Sequence, residues 1–126
     1  MFEAGLECGN ALAMIYTFRP AAGSMAAEFD ALVAERGVSA TLTGIYCDNA
    51  LTAKRSGDPD LHDRLIADCA GEQPEFDAIL LAQFSMASAA PLLRRQSSVP
   101  ILTAPESALL QLRRKIQSVS SADKPV

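Results

Sequence analysis

The feature that most constrains the fold is a set of short apolar segments separated by segments with helical spacing. Residues 11–17 (ALAMIYT) and 78–82 (AILLA) are almost entirely apolar and short, which is typical of strands buried on both faces. Residues 38–47 (VSATLTGIYC) alternate and are rich in β-branched side chains. Residues 99–102 (VPIL) form a shorter run with a proline near its start, which an edge strand tolerates. The sequence therefore predicts four strands.

Helical signals lie between the predicted strands. Ser24 and Gly37 bound one helix as an N-terminal cap and a left-handed C-terminal residue. Asp58-Pro59 opens a second helix, which Gly71 ends. Further helices are predicted after the third and fourth strands. Strands that alternate with helices imply right-handed crossovers and a parallel sheet covered on both faces. The predicted fold is a small doubly wound, three-layer α/β domain of flavodoxin-like shape, with a four-stranded parallel sheet in the order 2-1-3-4.

The chain is predicted to hold one folded domain with two short appendages. Residues 1–10 form an N-terminal helix, residues 11–117 the α/β domain, and residues 118–126 a polar, disordered tail. No strand precedes the opening helix. It is therefore either a simple extension or the last helix of an upstream domain, and both interpretations stay open.

Composition excludes several classes of protein. The chain has 126 residues, 49% of them hydrophobic, and a formal net charge of -4. A pI near 4.9 without a basic block argues against nucleic-acid binding. No apolar run approaches the length of a membrane span, and no secretory signal opens the chain. Three cysteines without C-x-x-C spacing indicate neither a disulfide framework nor a zinc site, so we expect a soluble, reduced, cytoplasmic protein without a bound metal.

Ligands of open parallel sheets bind where the strand order reverses, just beyond the carboxyl ends of the strands. We call the residues that follow these ends the carboxyl edge: Thr17 to Arg19, Cys47 to Asn49, Gln83 to Met86, and Thr103. With the order 2-1-3-4, Thr17 and the turn of Gln83 to Ser85 should face each other across a crevice. Both turns precede helices, whose free N–H groups favour an anion such as a carboxylate. Thr17 and Ser85 could equally cap their own turns.

Other polar and aromatic residues near this edge have simpler interpretations. Gln83 directly follows an apolar strand and so favours a cavity, although a surface position is the default for glutamine. Arg19 could clamp an anion, but a lone loop arginine is usually solvated. Phe84 is expected to pack rather than to form a ligand platform.

The histidine and cysteines give little support to nucleophilic catalysis. His62 lies in a first helical turn between Asp60 and Asp63, where a solvated position is favoured over a catalytic base. Cys47 ends its strand beside Asp48, and a neighbouring carboxylate disfavours a thiolate. Cys69 lies on the apolar stripe of its helix and is interpreted as core.

Two stretches together resemble a known family. Residues 76–109 (FDAILLAQFSMASAAPLLRRQSSVPILTAPESAL) are similar to the later half of the aspartate/glutamate racemase superfamily, which includes hydantoin racemases, arylmalonate decarboxylase and maleate isomerases. Residues 13–25 (AMIYTFRPAAGSM) resemble the strand and turn that open the second domain of those proteins. The apolar strand, small-polar turn, VP-I-L-T and P-x-S motifs occur in the same order, and the resemblance extends from about Ala11 to Leu112.

The resemblance implies a site and a chemistry. Members have two similar α/β domains facing each other across a cleft, and a pair of cysteines moves a proton at the carbon next to a substrate carboxylate, without metal or organic cofactor. Thr17 matches the threonine of the first turn, and the residues expected at the substrate are Thr17, Phe18, Gln83, Phe84, Ser85 and Thr103. The motif of the second cysteine falls on Leu81-Ala82-Gln83-Phe84, so Gln83 stands at the cysteine position. Catalytic residues stay unassigned, because Cys8, Cys47 and Cys69 all lie elsewhere.

Two functions are therefore predicted. The first is a partial or diverged racemase-family protein that binds a small carboxylic acid or amino acid and depends on a missing N-terminal domain or a partner subunit for its acid or base. The alternative is a non-catalytic α/β domain that binds a small carboxylate or forms homo-oligomers. Both assume no nucleic-acid or membrane partner.

Overall fold

The computed structural model describes residues 1–71, 75–104, 109 and 112–116. Its sheet has four strands, β1 (Ala11–Tyr16), β2 (Thr41–Tyr46), β3 (Ala78–Leu81) and β4 (Ile101–Thr103). Every pairing is parallel and the order is β2-β1-β3-β4, which confirms the predicted sheet. The two central strands, β1 and β3, are the two apolar runs, because only these strands have neighbours on both sides.

Five α-helices have defined bounds in this part of the chain: α1 (Phe2–Cys8), α2 (Ala22–Arg36), α3 (Ala50–Arg55), α4 (Pro59–Ala70) and α5 (Ala90–Gln96). Short 3-10 helices at Arg19–Ala21 and Phe84–Ala89 precede α2 and α5, and residues 112–116 are also helical. None of the described helices is long and apolar enough to cross a membrane.

The sheet is the middle of three layers. On one face, Ile15, Ile79 and Leu81 pack against Ile66 of α4 and Leu93 of α5. The opposite face carries Leu12, Met14 and Leu80, which pack with Phe2 of α1 and Phe29 of α2. The rings of Phe2 and Phe29 meet edge to face, with centroids 5.5 Å apart. The doubly wound, three-layer α/β fold is thus confirmed.

Local chemistry explains where α4 begins and where α2 ends. The Asp58 side chain accepts a hydrogen bond from the backbone N–H of Leu61 at 3.1 Å, and Pro59 occupies the first turn, as predicted. Gly37 ends α2 in the left-handed conformation at φ 64°. The backbone N–H of Val38 then donates to Val33. Val38 therefore belongs to the end of α2, and β2 begins at Thr41. The prediction that this strand begins at Val38 is wrong.

Three further details of the helices differ from the sequence predictions or go beyond them. Ser24 does not cap α2, which already begins at Ala22, and its hydroxyl donates to the carbonyl of Ala21 instead. The helix after β3 starts at Ala90, with Pro91 in its first turn, after a 3-10 segment. Helix α3 was not predicted. The tail predicted at 118–126 and the P-x-S motif at 105–107 lie outside the described residues.

Candidate functional site

The carboxyl ends of β1 and β3 lie side by side, because these strands pair in parallel at the centre of the sheet. Thr17 follows β1 and is 3% exposed. Its backbone N–H donates to Oε1 of Gln83 at 3.1 Å, and its hydroxyl donates to the same oxygen at 3.3 Å. The two turns that the sequence predicts to face each other across a crevice are therefore in direct contact.

This contact fixes the orientation of the Gln83 amide. A backbone N–H can only donate, so the atom that faces Thr17 must be the carbonyl oxygen of Gln83. The amide nitrogen Nε2 then points away from Thr17. It is buried, and it has no hydrogen-bond partner among the described residues. An unpaired buried donor costs about 1–3 kcal/mol. Nε2 is therefore suited to donate to an acceptor oxygen that a ligand brings to this edge.

Two aromatic side chains flank the Thr17–Gln83 contact. Phe18 is 44% exposed and Phe84 is 68% exposed. The expectation that Phe84 packs into the core is wrong: β3 ends at Leu81, and Met86 rather than Phe84 turns into the core from the following 3-10 helix. Both rings are available to contact the apolar part of a ligand or another protein surface.

Two cationic side chains lie on the same edge. The side chain of Arg19 is exposed to solvent. Its guanidinium also lies over the ring of Tyr46, 4.0 Å from the ring centroid, in a cation–π contact. Lys54 of α3 donates from Nζ to the backbone carbonyl of Ser85 at 2.6 Å. These positive charges favour an anionic ligand.

Ser85 and Thr103 complete the set of residues expected at the substrate. Ser85 directly follows Phe84 in the 3-10 helix, and its carbonyl is held by Lys54. Thr103 ends β4 and is buried, with Leu81 as its register partner on β3. Thr17 and Gln83 are thus joined by hydrogen bonds. Phe18 follows Thr17 in the sequence, and Phe84 and Ser85 follow Gln83. Thr103 lies one strand further along the same edge.

Sequence reasoning missed Lys54 because it missed α3. Six residues give too few helical turns for an apolar period, so no signal in this segment indicates a helix that carries a cation to the turn after β3.

His62 was expected to be solvated, and this is wrong. Its side chain is 0% exposed, because the first turn of α4 packs against the 3-10 helix that follows β3. Nδ1 lies 2.8 Å from Oδ1 of Asp63, which also accepts from the hydroxyl of Ser88 at 2.8 Å. Since a carboxylate only accepts, Nδ1 carries the proton. Nε2 is buried and has no partner among the described residues. The sequence does not predict this hydrogen-bonded group of His62, Asp63 and Ser88, because Ser88 is 25 residues from Asp63.

Cys47 is unsuited to act as a thiolate. Burial, together with the neighbouring Cys69 thiol and the carboxylates of Asp48 and Asp68, raises the pKa of Cys47 to about 12. Its Sγ donates to the backbone carbonyl of Leu65 at 3.3 Å. The expectation that a neighbouring carboxylate disfavours a Cys47 thiolate agrees with this direction, although burial is the larger cause.

The arrangement can donate hydrogen bonds and attract negative charge at one edge of the sheet. No three described His, Cys, Asp or Glu residues are grouped so as to hold a metal ion.

No protein-family model, curated protein or solved structure matches the chain. The chemistry of the carboxyl edge is therefore the basis on which a function is inferred.

Proposed function

We propose that the chain is a diverged member of the aspartate/glutamate racemase superfamily that binds a small carboxylic acid or amino acid at its carboxyl edge. The observation that supports this most directly is the Gln83 amide, whose Nε2 is a buried donor with no acceptor among the described residues. A carboxylate oxygen would accept from Nε2, and Arg19 and Lys54 would favour its negative charge. The resemblance of residues 13–25 and 76–109 to that superfamily supports the same ligand class.

The reaction class that we propose is cofactor-independent proton transfer at the carbon next to the carboxylate, as in amino-acid racemases and isomerases of the cytoplasm. A glutamine amide does not act as a proton-transfer base, and Cys47, the thiol of this edge, is buried with a raised pKa. In this proposal the domain binds and orients the acid. A second domain or a partner subunit supplies the acid and the base.

Ligand-dependent stability tests the binding step. We expect acetate, malonate, aspartate or glutamate to raise the Tm of the wild-type chain, whereas neutral acetamide does not, since a ligand that binds only the folded state stabilises it. Gln83→Glu keeps an acceptor for Thr17 but replaces the Nε2 donor with an anionic oxygen, so the shift should be lost. Thr43→Val, an exposed change on β2, is the matched control and should keep the shift. The proposed site would be contradicted if none of these carboxylates raised the Tm of the wild type, or if they raised the Tm of Gln83→Glu equally.

Exchange of the substrate α-hydrogen tests the source of the base. In deuterated water, the folded chain alone should bind its carboxylate without exchanging the α-hydrogen of aspartate or glutamate. Exchange that is lost on heat denaturation would show that this chain carries its own base. The proposal of an external acid and base would then be wrong, while the binding site would stand.

The exposed aromatics favour a second candidate function, which is homodimerisation without catalysis. Phe18 and Phe84 both project from the carboxyl edge. The resemblance implies that another domain covers this edge, and a second copy of the chain is the partner that we propose. Exposed apolar groups at one edge favour an interface.

A further inference from the structure

Two of the three thiols, those of Cys47 and Cys69, lie on the face of the sheet that α4 covers. Cys47 follows β2, is 1% exposed, and donates from Sγ to the carbonyl of Leu65 at 3.3 Å. Leu65 lies one helical turn before Cys69 on α4, so its carbonyl is adjacent to the Cys69 side chain. Cys69 is partly buried and packs against the core cluster that contains Cys47. The hydrogen bond to Leu65 therefore places the Cys47 Sγ beside the turn of α4 that carries Cys69.

The two thiols differ in their access to solvent. Cys47 is enclosed between the end of β2 and α4, whereas Cys69 is partly exposed. A small oxidant therefore reaches Cys69 first. Cys8, the third thiol, is exposed on α1, on the opposite face of the sheet from α4.

We propose that Cys47 and Cys69 form a reversible intramolecular disulfide when the protein meets a hydroperoxide. The peroxide transfers one oxygen to Cys69 Sγ, giving a sulfenic acid and the alcohol, or water when the oxidant is hydrogen peroxide. Cys47 Sγ then attacks the oxidised sulfur, the S–S bond forms, and the oxygen leaves as water with the Cys47 proton. The two thiols lose two electrons and the O–O bond of the peroxide gains them. A dithiol reductant returns both cysteines to thiols and is itself oxidised to a disulfide.

The burial of Cys47 suits it to the second step. Its raised pKa makes it a slow nucleophile toward a peroxide in solution. The proximity of Cys69 replaces a bimolecular encounter with an intramolecular one, which offsets low reactivity. The bond would join the end of β2 to α4 and would remove the Cys47 donor from the Leu65 carbonyl. This inference is independent of the proposed carboxylate site.

Peptide mapping of the oxidised wild-type chain tests the pairing. The folded protein is treated with hydrogen peroxide, denatured, alkylated with N-ethylmaleimide and digested without reductant. We expect one linked peptide pair that contains Cys47 and Cys69, with the Cys8 peptide outside this pair, and recovery of Cys47 and Cys69 as alkylated thiols after dithiothreitol and a second alkylation. The linked form should also have a higher Tm than the reduced form, because the bond constrains the unfolded chain.

Cysteine variants separate this pairing from other oxidations. Cys47→Ser and Cys69→Ser should each abolish the linked peptides, and Cys8→Ser is the matched control that should retain them. Three results would overturn the proposal: free Cys47 after oxidation, Cys69 recovered only as sulfinic acid, or crosslinks that form only between chains. The wild-type map decides among these results even when a variant fails to fold.

Discussion

The Thr17–Gln83 contact is the most specific interaction at the residue scale, because one amide oxygen accepts both donors of Thr17. We expect Thr17→Val to lower the free energy of unfolding by about 1 kcal/mol through loss of the hydroxyl bond. In a Gln83→Met background the same change should cost much less, since the acceptor is already gone. Urea unfolding of the wild type, of each single variant and of the double variant measures the coupling free energy between the two side chains. Strict additivity would show that the hydroxyl bond contributes nothing.

Cys47 gives the fold a pH dependence in alkaline solution. Its pKa is about 12 in the folded protein, against the ordinary thiol value of 9.0. Below pH 9 both states hold the proton. Above pH 9 the unfolded chain loses it while the folded protein keeps it, so stability should fall by up to about 1.4 kcal/mol per pH unit until the folded pKa is reached.

Comparison of variants isolates the Cys47 contribution from that of other groups titrating in the same range. The stability of Cys47→Ala should fall less steeply than that of the wild-type chain between pH 9 and 11, in a range set by the raised thiol pKa. Cys8→Ala removes an exposed thiol and should keep the wild-type slope. Equal slopes for all three proteins, measured by urea unfolding at each pH, would contradict the assignment.

The sequence indicates which residues are polar at the carboxyl edge, but not how they pair. Gln83 can be placed after a buried strand by its apolar neighbours, whereas its bond to Thr17 joins residues 66 positions apart. His62 has the polar neighbours of a surface residue. Its burial depends on how α4 packs against the segment that contains Ser88, and no local pattern reports that packing.

At the scale of elements, the start of β1 depends on a close approach between two loops. Oδ2 of Asp77 accepts from the backbone N–H groups of Asn10 and Ala11 at 3.0 and 2.9 Å. Gly9 precedes them at φ 156°, and a Cβ there would overlap the Asp77 side chain. We expect Gly9→Ala to destabilise the protein by about 1–3 kcal/mol, by displacing the carboxylate that holds β1.

The matched control for this element is Gly23→Ala. Gly23 lies in α2 with no atom near its missing Cβ, so the change should be neutral or stabilising. Thermal and urea unfolding of the two variants make the comparison. A Gly9→Ala protein as stable as the wild type would show that Asp77 is not essential for the start of β1.

The elements are predictable to the extent that their side chains report burial. β1 and β3 are apolar because they are central, and α4 carries its own cap and stop signals. Helix α3 has only six residues, and it packs mainly against α4. Short segments of this kind are decided by tertiary packing, which the local sequence does not encode.

At the scale of the whole molecule, the order of the strands sets the position of the candidate site. Alternating strands and helices with right-handed crossovers allow few arrangements, and the order 2-1-3-4 brings the ends of β1 and β3 together. What covers this edge does not follow from topology. It depends on the side chains that the edge presents, and among the described residues of this edge Phe84 is the most exposed apolar one.

Self-association tests the homodimer candidate. If a second copy covers the carboxyl edge, sedimentation velocity should show a concentration-dependent dimer, and Phe84→Ser should weaken it at least tenfold, because an aromatic anchor at an interface commonly contributes more than 1.4 kcal/mol. Val38→Ser is the matched control, since Val38 is 42% exposed at the opposite edge, between α2 and β2. A monomer at high concentration, or equal weakening by both variants, would contradict a dimer through the carboxyl edge. Weakening by Phe84→Ser alone would place the second copy over Thr17 and Gln83, where it could supply groups to a ligand bound there.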